Sequence, residues 1–174
     1  MQLVASGAVQ LVPRHGAVVT GPSPQRAIGM VETLIALEAE AAGLAARRMS
    51  LTQRATLADI HRSAEAAVGK LDSETYIETN GTFHELIYVS AANEFLAEQI
   101  RFTRKGMRFY HRSSLYQPAR LRASWDEHGA VVAAILEGDE KMAQQKMREH
   151  ILFGGRVFGD LVSALSNRPE HTSS

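Results

Sequence analysis

The sequence predicts an all-α protein: an antiparallel bundle of six to seven helices behind a short β-hairpin. Three observations carry this. From about residue 25 onward the apolar residues recur at three- and four-residue steps, the period of a helix with one buried face. Cap and turn residues cut that pattern into long segments with short connections, which favours antiparallel neighbours. Alternating β-branched runs are confined to residues 1–21.

The elements follow in order. Val9 to Val12 and Ala17 to Thr20 are two short extended runs around Pro-Arg-His-Gly, a hairpin pattern. An isolated hairpin is marginal in water, so this one needs a partner. Pro22 and Pro24 stiffen the exit, with Ser23 placed to cap the next helix. Residues 25–48 are rich in Ala, Leu and Glu and form the first helix. A second covers 52–70 with Thr52 as cap, a third 73–91 starting at Ser73, and a fourth 93–112. "SSLYQP" separates the fourth from a fifth helix at 118–137. Gly138 ends that helix and Asp139 caps the sixth, 140–165. The expected units are residues 1–21, a helical domain at 22–168 and a frayed tail at 169–174.

Composition narrows the function. The chain has 174 residues, 45% of them apolar, enough for one domain with a sizeable core. Nineteen basic residues balance nineteen acidic ones, which argues against a dedicated nucleic-acid coat. There is no cysteine, so thiolate metal sites, disulfides and cysteine nucleophiles are excluded. No run of about 18 apolar residues exists and the N-terminus lacks a secretory pattern, so a soluble cytoplasmic protein is expected.

Three helices each place one histidine on the core-facing stripe. On the third the stripe is Ile77, Asn80, His84, Ile87 and Ala91. On the fifth it is Leu121, Trp125, His128, Val132 and Ile135. On the sixth it is Ala143, Met147, His150, Gly154, Val157 and Leu161. A buried imidazole without a partner costs roughly 1–3 kcal/mol. One shared cation would satisfy all three rings, and neutral imidazole is the commonest protein metal ligand. Asn80, one turn before His84, adds a carbonyl oxygen on the same face. The bland alternative is three separately satisfied core histidines, and periodicity alone leaves both open. His15, His61, His111 and His171 are expected at the surface.

Two familiar metal patterns are absent. A di-iron carboxylate bundle wants Glu-x-x-His, but Gly81, Trp125 and Met147 stand three residues before the stripe histidines. A zincin wants His-Glu-x-x-His, but Tyr88 occupies the second histidine position after His84-Glu85.

These motifs together resemble a known family. "NGTFHELIYVSAANEFL" resembles the central signature of the FCD effector domain of GntR-family transcriptional regulators, FadR subfamily. "EHGAVVAAILEGDEKMAQQKMREHI" resembles its two later histidine motifs, and "ALEAEAAGLAARR" its first helix. "GAVQLVPRHGAVVTG" is similar to the wing of the family's winged helix-turn-helix. The resemblance spans residues 3–165.

It implies a helical bundle that holds a divalent metal through one Asp and three His, with a small carboxylate effector on or beside the metal. By position it carries Asn80, His84, His128 and His150 into the metal site. Zinc is the first expectation; nickel, iron and manganese also suit such donors. Two departures stand out. Asn80 replaces the family's Asp, a neutral donor for a charged one. Leu34 occupies the place of an Arg that precedes the Leu37-Glu38 pair, so anion binding must come from elsewhere. Arg101, Arg104, Arg108 and Arg112 recur along the fourth helix. Arg104 and Arg108 are the expected effector contacts, with Tyr76 and Phe83 as walls, although a solvated arginine face and plain core packing explain the same pattern.

The family's DNA-binding domain has three helices before the wing, and here the chain begins at the end of the last. The expectation is therefore a remnant of that domain at 1–21, with Arg14 and His15 at the wing tip as DNA contacts. The full-length protein is expected to bind operator DNA, as a homodimer. The reading is a ligand-responsive transcriptional regulator and not an enzyme. The alternatives are a metal-dependent hydrolase-like enzyme, or a helical interaction module without metal. A hydrolase wants a positioned general base, and Glu85, Glu127 and Glu149 each sit about 100° round the helix from the neighbouring histidine.

Overall fold

The computed structural model describes residues 9–12, 16–19 and 24–166, with side chains over 25–107 and 114–154. Strands β1 (Val9–Val12) and β2 (Gly16–Val19) pair antiparallel with Val9 opposite Val19. Among the described residues seven helices follow: α1 (Pro24–Arg48), α2 (Leu51–Ser63), α3 (Glu65–Lys70), α4 (Ser73–Ser90), α5 (Glu94–Ser114), α6 (Pro118–Glu137) and α7 (Glu140–Ser166). The fold is the expected all-α bundle.

The expected helix at 52–70 is two. The chain turns at Ala64 between α2 and α3, although the Ala64 amide still reaches back to the Ile60 carbonyl at 3.3 Å. No Gly or Pro marks that break. The cap of α2 is Ser50 and not Thr52. Ser50 accepts from the Gln53 amide while its own amide donates to the Gln53 side chain, a reciprocal capping box. α4 starts at Ser73 as expected, and Asp72 caps it by accepting from the Thr75 amide. At the other end of the bundle Gly138 closes α6 with φ 74°, a left-handed conformation that glycine adopts without a Cβ clash, and Asp139 caps α7 by accepting from Met142.

α1 is the central staff, and it packs most extensively on α7. Small residues make that possible: Ala39, Ala41, Ala42, Ala45 and Ala46 are all buried. A Cβ on Gly43 would stand 2.6 Å from the Gln144 side chain of α7, so even alanine there would push that side chain aside. The main core joins Ala41, Ala42, Ala45 and Ala46 to Leu57, Phe83, Ile87, Ile100, Val131, Ile135 and Met147. A smaller cluster of Ala67, Val68, Tyr76, Leu115 and Leu121 closes the end under α3. α4, α6 and α7 thereby bring one histidine stripe each to the boundary between the two clusters. Trp125 and Ile77, expected in the core, lie at its margin and are only partly buried.

Candidate metal centre

His84, His128 and His150 meet. Each offers a ring nitrogen, and those atoms lie within 4.8 Å of one another. The Nε2 of His150 stands 3.3 Å from the Nε2 of His128 and 3.3 Å from that of His84. All three side chains are essentially sealed from solvent. Desolvation holds each ring neutral: His84 is pushed down to about 3, with the Arg104 charge adding to burial. Burial and the neighbouring rings hold His128 well below its ordinary value, and burial lowers His150 despite the carboxylate beside it.

The rings are oriented from outside by two ion pairs. Glu127 Oε2 lies 2.6 Å from His150 Nδ1, and Arg120 binds the same carboxylate through two nitrogens at 3.1 and 3.0 Å. A hydrogen on Nδ1 donated to Glu127 leaves the His150 Nε2 lone pair facing inward. At the other end Glu38 Oε2 is 3.1 Å from His84 Nδ1. Arg104 binds Glu38 through Nε at 2.7 Å and Nη2 at 2.8 Å, and Tyr88 donates its hydroxyl to the same carboxylate at 2.8 Å. Arg104 Nη2 also lies 3.1 Å from His84 Nδ1, so that nitrogen faces an acceptor and a donor together. Burial alone would raise the pKa of Glu38, but the Arg104 and His84 interactions outweigh it and hold the carboxyl well below the usual range. His128 is fixed by stacking: its ring lies 4.0 Å from Phe83 at 14°, with Tyr76 at 6.3 Å beyond.

Asn80 lies one turn before His84 on α4. It is 6% exposed, and its Oδ1 is buried without a hydrogen-bond partner. An orphaned amide oxygen one turn from a ligand-type histidine is a group waiting for a cation or a donor. The donor set is therefore nitrogen-rich and neutral, with an oxygen to spare, and it fits a divalent metal such as zinc.

The other site residues fall as follows. Tyr76 is fully buried near His128, and Phe83 stacks on it. Arg104 reaches the site but is engaged by Glu38. The side chain of Arg108 lies outside the described residues, as do Arg14 and His15 altogether. The His111 side chain and His171 also lie outside the described residues, whereas His61, expected at the surface, is only partly exposed. It stacks on Trp125 at 4.9 Å and 18°, its carbonyl accepts from the Trp125 indole at 3.1 Å, and its Nδ1 is buried.

Three residues were missed from sequence. Glu38 sits on the α1 stripe with Leu34, Ala42 and Ala45, a buried acid in an alanine face, and that spacing was the available signal. Glu127 points away from His128 as expected, yet it serves His150 on another helix. Arg120 is buried one helical heptad before it.

The fold has counterparts among known proteins. A family model described as FCD domain matches residues 30–153. Sequence comparison with curated proteins returns no match. Among solved structures the chain is similar to E. coli McbR/YncC, with TM-score 0.78 and 21% identity over 92% of this chain and 81% of that one. It is also similar to a GntR of Streptococcus agalactiae, with TM-score 0.62 and 17% identity over 90% and 78% of the two chains. A GntR-family transcriptional regulator of Pseudomonas syringae pv. tomato gives TM-score 0.64 and 18% identity over 95% and 68%. At these identities the likeness concerns the fold.

Proposed function

The chain belongs to the FCD domain family, and from that premise we propose that it is the effector-sensing part of a ligand-responsive transcriptional regulator. In this reading His84, His128, His150 and Asn80 hold one divalent metal, with zinc the best fit. A small carboxylate effector binds there, and its binding alters how DNA-binding heads are spaced in a homodimer on operator DNA. Strands β1 and β2 are assigned to the wing of such a head. The enzyme alternative is dropped: the matched relatives whose role is stated are regulators of transcription or expression.

The observation that carries the reading is the convergence of three sealed, neutral imidazoles on one point beside an orphaned amide oxygen. Three ring nitrogens so close satisfy one another poorly, because neutral rings share too few hydrogens among inward lone pairs. A bound divalent cation supplies positive charge for those lone pairs and for an oxyanion. The residues do the rest. Glu127 and Glu38 take the outer ring hydrogens and so turn the inner nitrogens toward the centre. Phe83 and Tyr76 keep the His128 ring in plane. Arg104 is assigned to bracing Glu38 and not to the effector. Since Glu38 belongs to α1, a change at His84 is passed to the first helix of the bundle through that carboxylate.

Elemental analysis of the purified chain tests this. One equivalent of divalent metal is expected in the parent and well under one in His128→Ala. A metal-free parent that takes up none on titration refutes the metal site.

A further inference from the structure

One atom of His84 faces an acceptor and a donor at the same distance. Glu38 Oε2 and Arg104 Nη2 both lie 3.1 Å from its Nδ1. A neutral imidazole carries one ring hydrogen. With that hydrogen on Nδ1 the ring donates to Glu38, and the Arg104 N–H is left facing another N–H. With it on Nε2 the Nδ1 lone pair accepts from Arg104, and the Glu38 oxygen is left facing a lone pair. The His84 and Glu38 side chains are sealed, so water does not repair the spoiled contact. Each tautomer gains one contact at Nδ1 and loses the other. The inward side of the ring therefore decides between them.

There the neighbour is His150. Its Nδ1 lies 2.6 Å from Glu127 Oε2 and donates outward, so its Nε2 presents a lone pair. His84 Nε2 stands 3.3 Å from that nitrogen. A hydrogen on His84 Nε2 bridges the gap, whereas a bare Nε2 sets two lone pairs against each other. Without a cation the inward side thus favours hydrogen on Nε2. A nitrogen that ligates a metal must be bare, which moves the hydrogen to Nδ1.

We infer that Arg104 is a positioning residue that opposes metal loading: it holds metal-free His84 with hydrogen on Nε2, and loading hands the ring to Glu38 with hydrogen on Nδ1. One hydrogen leaves Nε2 and one arrives at Nδ1. The ring is neutral in both states and no net proton is exchanged. Loading takes from Arg104 its bond to His84, while its two bonds to Glu38 remain. Arg104 lies on α5, Glu38 on α1 and His84 on α4, so occupancy is felt on two further helices. This rests on the metal reading above and gives Arg104 a part beyond bracing Glu38.

Nitrogen NMR of the isotope-labelled chain, metal-free and zinc-loaded, reads which ring nitrogen of His84 bears hydrogen. The expected result is Nε2 in the metal-free protein and Nδ1 in the zinc-loaded one. Hydrogen on the same nitrogen in both states, with zinc bound, overturns the inference and leaves the metal reading standing. A chain that takes up no zinc overturns both. Two variants should then move zinc affinity in opposite directions. Arg104→Lys keeps a positive charge for Glu38 but loses the planar fork that also reaches His84, and should tighten zinc binding about fivefold. Glu38→Gln replaces the carboxylate that receives the Nδ1 hydrogen by a neutral amide, and should weaken it about tenfold. If the pair only supported the fold, both variants would weaken zinc binding, and that shared sign overturns the role of Arg104. Should either variant fail to fold, the spectra of the parent chain decide alone.

Discussion

The two ion pairs that flank the histidines solve one problem in opposite ways. At the α1 end the acid is sealed and the base is not: Glu38 is 0% exposed and the Arg104 side chain 21%. At the α6 end the base is sealed and the acid is not: the Arg120 side chain is 4% exposed and Glu127 22%. Each pair gives one carboxylate oxygen to an imidazole Nδ1. Breaking a buried pair is costly because the partner left behind is an uncompensated charge, whereas a partner that can reach water is not stranded. The two ends should therefore respond to mirror-image mutations.

The largest effect is expected where the sealed partner is abandoned. Arg104→Met strands Glu38 and should cost about 3–5 kcal/mol in unfolding free energy. Denaturant titration at pH 7 checks it. A cost no larger than that of Arg120→Met would break the mirror relation. In the variant the loss should shrink on acidification, because protonating Glu38 removes the stranded charge.

Next in size is the pH response of the metal-free protein. The three rings are held neutral in the folded state, His84 at about 3, while an unfolded histidine titrates near its ordinary value of 6.5. Below that value the unfolded chain binds protons that the folded chain refuses. Stability is then present above pH 6.5 and, for His84 alone, falls by about 1.4 kcal/mol per unit as the pH drops toward 3. His128 and His150 act in the same direction. Melting curves between pH 8 and 5 measure this, and His128→Phe should flatten the slope. A flat profile over that range would mean that the rings are not sealed.

The same three rings were the most legible part of the molecule. His84, His128 and His150 stand out because a 3.6-residue period places them on buried stripes, and that geometry is local to each helix. Asn80 was legible for the same reason. Their outer partners were not. Glu127 reaches His150 from α6 to α7, and Arg104 reaches Glu38 from α5 to α1, pairings fixed by how helices are laid side by side. A sequence shows which face a residue occupies but not which neighbour lies across from it. Glu38 alone carried a local warning, as an acid on an alanine-lined stripe. The division at Ala64 was invisible for another reason: helical hydrogen bonding continues across it and no breaker residue marks it.

Smaller effects sharpen the comparison at the α6 end. Glu127→Gln keeps an oxygen near His150 but loses the charge, and should weaken zinc affinity by about 10- to 100-fold. Competition against a chromophoric chelator measures it, and unchanged affinity would mean that Glu127 does not orient the ring. Arg120→Met should be the mildest, at about 1 kcal/mol, since Glu127 can turn to water while keeping His150. A loss matching that of Arg104→Met would show that the partly exposed carboxylate is as trapped as the sealed one.

The central claim is that these histidines share one ion. X-ray absorption at the zinc edge of the loaded protein tests it most directly. The account predicts three imidazole nitrogens at about 2.0–2.1 Å together with oxygen at about 2.0–2.2 Å. A first shell of oxygen alone, or one with fewer than three imidazoles, would contradict it.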